Sequence, residues 1–528
     1  MSASRERRQR QADPQRAMTQ KERAELKEQK AAKQKTVLYA AIGVIVAILV
    51  VILLVWDSGI FQRAQTAMSI AGRDYKVTDV EYYYRSALNQ EYTLSMYGMS
   101  SFDNSVDPAE QYRDEAQTQT YRDYFLEQAT TALKAAAALE NSAAEEGFTL
   151  SDEGKASVDE QIESTAAVAT QYGYNNLEGY LRAYYGKYMT KSAYRTCVER
   201  TVLLQEYQQH YKDNLSITDE DLNTYYTENK DSLDTYEYYY ALIDGTAQST
   251  TDADGNTVEP TEEEKEAAMA EAKEKADTFA AALNEADDKG AAFLAQVTQY
   301  VGTDAQSDYS TLNVTKGSNL SSTYSSWLQD SARQSGDVTV IEDTSGYYVL
   351  VFQNRYLDET PSVDIRHILI QAELDQQDDP ATTDVDESTV PSQASLDAAK
   401  AEAESLLAQW ESGDKTAESF GELANANSDD PGSNTNGGLY EQVVPGEMFD
   451  AFNDWIFDAS RQSGDTGLVE NTQSGQQGWH VIYFQGQDQL AWKVNVTSTL
   501  KDDRTNEWID GMVTDLEVTQ GDGLSYVG

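Results

Sequence analysis

Hydrophobic positions follow three rhythms along this chain. An unbroken apolar run, VLYAAIGVIVAILVVILLVW, extends from Val37 to Trp56. Long stretches then repeat apolar residues every three or four positions, and later short runs alternate apolar with polar. The first run predicts a helix of about 30 Å, the thickness of a bilayer core. The second rhythm predicts helices over about 109–145, 152–171, 176–186, 190–213 and 218–229. They follow a first helix, VEYYYRSALNQEYTLSMYG, which a capping box of Thr78 and Glu81 would open. Alternation is strongest at 347–352 and 479–484, which predicts strands there.

The strand-bearing part repeats itself. ArgGlnSerGlyAsp occurs at 333–337 and again at 461–465, each time after a Trp (Trp327, Trp455) and before an alternating run. Upstream, YEYYYALI at 236–243 matches VDIRHILI at 363–370. Between these ends each unit carries an acidic, alanine-rich helical pattern, at about 261–286 and 393–411, then a short run around Phe293 or Phe420. Two related units ordered strand, long helix, short helix, loop, helix, strand define an α+β fold. The expected organisation is a basic tail at 1–36, a transmembrane helix at 37–56 and a helical domain at 65–235. Two sheet domains follow at 236–356 and 361–488, and a C-terminal extension at 490–528 could pack back on the helices. The stretch DADGNTVEP reads as an exposed turn, since its glycine is misplaced for a calcium loop, and 374–392 reads as an acidic surface loop.

Charge sharpens the membrane reading. Residues 1–36 carry a net charge of +6 and the remainder carries −56, out of a total of −50. The basic flank, with Lys33 and Lys35 beside the apolar run, places the tail in the cytoplasm and 57–528 outside. A cleaved signal peptide fits less well, because its basic region is short and its apolar core runs to about 15 residues at most. So acidic a body excludes nucleic acid as a partner.

The inventory of chemical groups is small. The single cysteine, Cys197, excludes a disulfide framework and cysteine metal sites, and with only three histidines no metal and no cofactor are expected. Cys197 lies in a helical pattern and reads as a buried thiol; His210 reads as a surface residue. Ser463 has a counterpart in Ser335 of the other repeat, so a shared turn explains both. The other two histidines, His367 and His480, stand on the terminal strands of the second repeat, where the first repeat has Tyr240 and Tyr348. If those strands are neighbours, the two imidazoles meet across the ladder. The many tyrosines of the helical part, among them Tyr82, Tyr180 and Tyr184, read as packing residues or as the lining of a groove for unfolded chains.

The second repeat resembles a parvulin-type peptidyl-prolyl cis–trans isomerase domain. The resemblance rests on ArgHisIleLeu at 366–369, PheGlyGluLeuAla at 420–424, SerAspAsp at 428–430, GlyGlyLeu at 437–439, GlyGluMetPheAspAlaPhe at 446–452 and TrpHisValIle at 479–482. The whole outer part is similar in architecture to Gram-positive extracytoplasmic foldases and the related periplasmic chaperone. The resemblance implies His367, His480 and Asp430 as the catalytic group, and Leu439, Met448 and Phe452 as an apolar wall for the proline ring. It implies unfolded or newly secreted polypeptides with X–Pro bonds as partners, and a helical chaperone-like domain joined to two parvulin-like domains, each an antiparallel sheet with surrounding helices, the first without both histidines. Two departures, Tyr440 after the Leu and the lengthened turn at 476–478, leave a non-enzymatic holdase or surface scaffold as the alternative.

Overall fold

A computed structural model describes residues 20–114, 116–253, 255–302, 309–374, 391–473 and 476–528. Residues 1–19 of the basic tail, Asp254 of the DADGNTVEP turn and 375–390 of the acidic loop lie outside them. The described residues form two units, 20–215 with 502–528, and 216–501.

The first unit begins with the helix Gln20–Asp57, whose apolar part Tyr39–Asp57 has a mean hydropathy of 3.0 and none of its surface buried. A hairpin of β1 (Thr66–Ile70) and β2 (Arg73–Lys76) follows, and Val518–Gln520 pairs with the free edge of β1. Helices Val77–Met96, Tyr121–Glu146, Asp152–Gln171, Leu177–Tyr184 and Lys191–Asn214 complete the unit. Thr78 and Glu81 do not cap the first of these. β2 turns straight into the helix, so Thr78 already lies in its first turn, and Asp79 accepts the Lys76 N–H (2.8 Å). Glu81 is paired instead with Arg85. The helix expected from 109 starts only at Tyr121. Upstream, Asp103 and Asp114 take loop N–H groups from Ser105 and Thr118, and the Thr120 hydroxyl caps the helix at Asp123. Tyr84, Phe125 and Leu133 fill the core beside the hairpin. Trp508 stacks on Tyr211 at 3.8 Å, so the C-terminal segment folds with these helices.

The second unit opens with the helix Asp219–Leu233, whose Leu222 packs with Trp492 and Val496. Two sheets follow. In one, β3 (Thr235–Asp244) is central, after which come the small hairpin of β4 (Thr250–Thr251) and β5 (Thr257–Val258), then β6 (Asn313–Lys316), β7 (Val338–Asp343) and β8 (Gly346–Tyr356). The other is built from β9 (Pro361–Gln371), β10 (Leu439–Val443), β11 (Thr466–Asn471) and β12 (Gly478–Leu490). The sheet orders, β6-β3-β8-β7 and β10-β9-β12-β11, are the same topology twice.

Side-chain alternation puts the even and odd residues of each strand on opposite faces, and both faces are covered. Over one face of the second sheet lie helices Gln393–Ser412 and Ala417–Asn427, with Trp410 and Phe420 against Ile368, Ile370 and Val481. Over the other lies the short helix Asp450–Ile456, with Phe452 and Ile456 against Val363, Ile365 and Ile482. The first sheet repeats this with Phe279 and Phe293 on one face and Tyr324 and Leu328 on the other. The repeated ArgGlnSerGlyAsp is one turn made twice. Asp337 and Asp465 accept the N–H of Gln334 (3.0 Å) and Gln462 (2.9 Å), and Gly336 and Gly464 take positive φ. Arg333 and Arg461 lie over Trp327 and Trp455.

Candidate functional site

β9 and β12 are antiparallel neighbours, with His367 opposite Ile482 and His480 opposite Leu369. The two histidines are therefore diagonal on one face of the sheet, within reach of each other. Their rings stack at 5.1 Å between centroids, with the two Nδ1 atoms 2.9 Å apart. In the sister sheet Tyr240 stands opposite Leu350 and Tyr348 opposite Leu242, which is the same register with phenols in place of imidazoles.

Asp430 reaches the pair from the loop after the helix Ala417–Asn427. That loop is fastened to β9 on both sides: Asp429 N–H donates to the Leu369 carbonyl (2.8 Å), and the Leu369 N–H donates to Ser428 Oγ (3.1 Å). His367 N–H in turn donates to the Gly438 carbonyl (2.9 Å). Gly437 and Gly438 both have positive φ, and a Cβ on Gly438 would run into the His367 carbonyl oxygen, so only glycine allows the approach. So held, Asp430 Oδ2 receives His367 Nε2–H (2.9 Å), Ser433 Oγ–H and Tyr440 O–H (3.1 Å), while Oδ1 takes the Gly432 N–H (3.1 Å). These donors, His367 first, hold the Asp430 carboxyl well below the usual carboxylate range against the opposing effect of burial.

His367 and His480 are each only 6% exposed. Burial, and secondly the neighbouring His367, push the His480 imidazole down from 6.5 to about 3. His480 is therefore neutral at physiological pH. Its other ring nitrogen, Nε2, lies 3.4 Å from Nδ2 of the buried Asn471.

The apolar residues named from the resemblance are placed unequally. Phe452, 1% exposed, meets both imidazoles edge-on, at 5.2 Å from His480 and 5.8 Å from His367. Met448 is half-buried against the same cluster. Leu439 stands opposite Arg366, and Tyr440 opposite Ile365. Alternation gives Leu439 the face of Arg366 and gives Tyr440 the face of His367, where the phenol ring lies 5.2 Å from the imidazole. The position beside the histidines on β10 belongs to Tyr440 and not to Leu439. Phe449 is a further wall residue, 5.4 Å from His480.

The lengthened turn at 476–478 leaves the strand pairing intact, because the Gln477 carbonyl accepts the Ala372 N–H (2.9 Å) just before β12 begins. Ser433, Phe449 and Asn471 join the site without having been identified from the sequence, and Tyr440, which stood out there only as a departure from the family pattern, joins it as a donor to Asp430. For Asn471 the available signal was its place on the strand paired with the one that bears His480. Cys197 is fully buried, with its thiol pushed up by burial and then by Asp79, and His210 is exposed.

Residues 353–488 match the family model of the PPIC-type PPIase domain. No curated protein matches the chain. Among solved structures the chain is similar to the peptidylprolyl isomerase PrsA from Bacillus cereus, at 14% identity over 51% of this chain and 90% of that one, with a TM-score of 0.20. PrsA from Bacillus subtilis matches at 16% identity over 47% of this chain and 79% of that one, TM-score 0.15. A SurA-like chaperone from Campylobacter jejuni matches at 16% over 39% and 70%, TM-score 0.17.

Proposed function

We propose that this chain is a membrane-anchored extracytoplasmic foldase, and that residues 361–488 catalyse cis–trans isomerisation of X–Pro bonds in secreted or cell-surface polypeptides. The observation that carries the reading is the contiguous set His480, His367 and Asp430, lying inside the segment that matches the PPIC-type PPIase domain.

Rotation about a peptide bond is opposed by a conjugation barrier of about 18–20 kcal/mol. Catalysis requires only that the site favour the twisted amide over the planar one. Twisting ends the resonance that loads negative charge onto the carbonyl oxygen. A fixed carboxylate such as Asp430 therefore disfavours the planar amide more than the twisted one when it lies beside that oxygen. Met448 and Phe449, half-buried and backed by the core ring of Phe452, offer the apolar surface on which a proline ring would be held while the chain turns about it. No covalent intermediate or cofactor takes part. In this reading domain 236–356 is a silent relative, with Tyr240 and Tyr348 where the histidines would be. The helical domain 65–235 holds unfolded clients, a role supported by its exposed Met96, Tyr97, Met99 and Tyr172. The apolar helix anchors the protein, with the basic tail in the cytoplasm.

The test is cis–trans exchange of a short X–Pro peptide, followed by NMR with the full chain in detergent micelles and with His480→Ala. Acceleration that disappears in the variant is expected. A folded wild-type chain that leaves exchange unchanged over a panel of X residues would sink the catalytic reading. One observation favours the alternative of a non-enzymatic holdase: the Tyr440 ring fills space beside His367.

A further inference from the structure

The pair of Nδ1 atoms shared by His367 and His480 can be bridged by one proton in two ways, and each way dictates the rest of the site. In the first, His480 Nδ1–H donates to His367 Nδ1. His367 is then neutral with its proton on Nε2, where Asp430 accepts it, and His480 Nε2 is a bare acceptor. In the second, His367 is an imidazolium that donates to both neighbours. His480 then carries its proton on Nε2 and needs an acceptor there.

Asn471 distinguishes the two. Its Oδ1 accepts the backbone N–H of Gln473 at 2.9 Å, a donor that cannot change sign, and this settles which end of the amide is oxygen. The end that faces His480 Nε2 is therefore Nδ2, which can only donate. A proton on His480 Nε2 would point at the N–H of Asn471 in a buried setting, where no other partner meets that nitrogen among the described residues. The groups around His480 agree. Among the described residues its ring also meets His367, Phe449 and Phe452, and none of these side chains offers an acceptor to Nε2.

We infer that Asn471 is a positioning residue: by donating to His480 Nε2 it orders the protons in one direction, from Asn471 through His480 and His367 to Asp430, and keeps both imidazoles neutral. The inference extends the proposed isomerase site, since it names the group that holds that site in one protonation pattern. The consequence is that the negative charge of the site is confined to Asp430 and is not offset by an imidazolium beside it. That is the arrangement in which the carboxylate acts most strongly on a carbonyl dipole. Burial that depresses His480 works in the same direction.

The chain has three histidines, so selective ¹⁵N labelling of histidine leaves three imidazoles to resolve, one of them the exposed His210. The measurement uses the full chain in detergent micelles at pH 7 and reads which ring nitrogens carry hydrogen. His480 with its proton on Nδ1 and His367 with its proton on Nε2 are expected in the wild type. A His480 protonated on Nε2, or a doubly protonated His367, overturns the inference from the wild-type spectrum alone. Asn471→Asp turns the donor into an acceptor and is expected to reverse the order, moving the His480 proton to Nε2. Asn471→Leu removes the donor at similar volume and is expected to leave His480 as a mixture of tautomers. Either variant, folded and with wild-type tautomers, also overturns it. Peptide exchange on the same samples keeps the two ideas apart. A wild type with the expected tautomers and no isomerase activity upholds the proton order and sinks the isomerase reading.

Discussion

The Tyr440 hydroxyl donates to the Asp430 carboxylate at 3.1 Å, while its ring lies edge-on to His367. The residue that crowds the histidine pair thus also stabilises the charge beside it. Tyr440→Phe keeps the ring and removes the donor. Loss of one hydrogen bond of about 1 kcal/mol should lower kcat/KM for a proline peptide about fivefold. An unchanged kcat/KM would show that the hydroxyl contributes nothing to the reaction.

Acid should weaken the second sheet by way of His480 and Asp430. The folded state holds His480 at about 3 against 6.5 when unfolded, so between those values the unfolded chain binds more protons and stability rises with pH. Asp430 is also depressed, so its contribution is present above the unfolded carboxylate value and is lost as pH falls through the folded one. Both signs agree. Protection of the amides in β9 and β12, corrected for the intrinsic slowing of exchange in acid, should fall as the pH is lowered from 6.5 towards 3, by more than in the first sheet. An equal fall in both sheets would contradict the assignment.

Phe452 packs under both imidazoles and among Val363, Ile365 and Ile482. Phe452→Ala should cost about 3–5 kcal/mol, read from urea unfolding of this sheet, and should loosen the histidine pair. A loss below about 1 kcal/mol would mean that the ring is not core.

Arg200 bridges Asp79 (3.0 Å) and Glu140 (3.1 Å), and so ties three helices of the first unit. All three side chains are nearly buried, at 10–14% exposure. Arg200→Met leaves two carboxylates facing each other and should destabilise that unit by about 3–5 kcal/mol. Asp79→Asn together with Glu140→Gln should recover much of this loss, which a double-mutant cycle would measure.

The anchor is tested by sidedness. In membrane vesicles with the outer face exposed, protease should remove epitopes placed between 57 and 528 and spare one in the basic tail. The opposite pattern would reverse the topology drawn from the charge asymmetry.

Much of this molecule was legible in one dimension. Apolar run length marks a helix long and apolar enough to cross a membrane, because hydropathy is a local property. The repeat was legible because the same turn and the same strand periodicity recur, and the structure returns them as two sheets of one topology. His367 and His480 stood out since they occupy equivalent strand ends of one repeat while Tyr240 and Tyr348 hold those ends in the other.

What remained hidden depended on register and on atoms distant in sequence. Whether Leu439 or Tyr440 faces His367 turns on a one-residue choice of pairing, and a single step exchanges the two faces of a strand. That choice is made by Gly437 and Gly438, whose positive φ lets the loop close onto the His367 backbone. The place of Asn471 on the strand before His480 could be read, but its role could not, since that depends on which amide atom meets Gln473 and which meets His480. Periodicity belongs to the local chain and can be read along it. The direction of a hydrogen bond is decided only when two distant strands and a loop have been brought together.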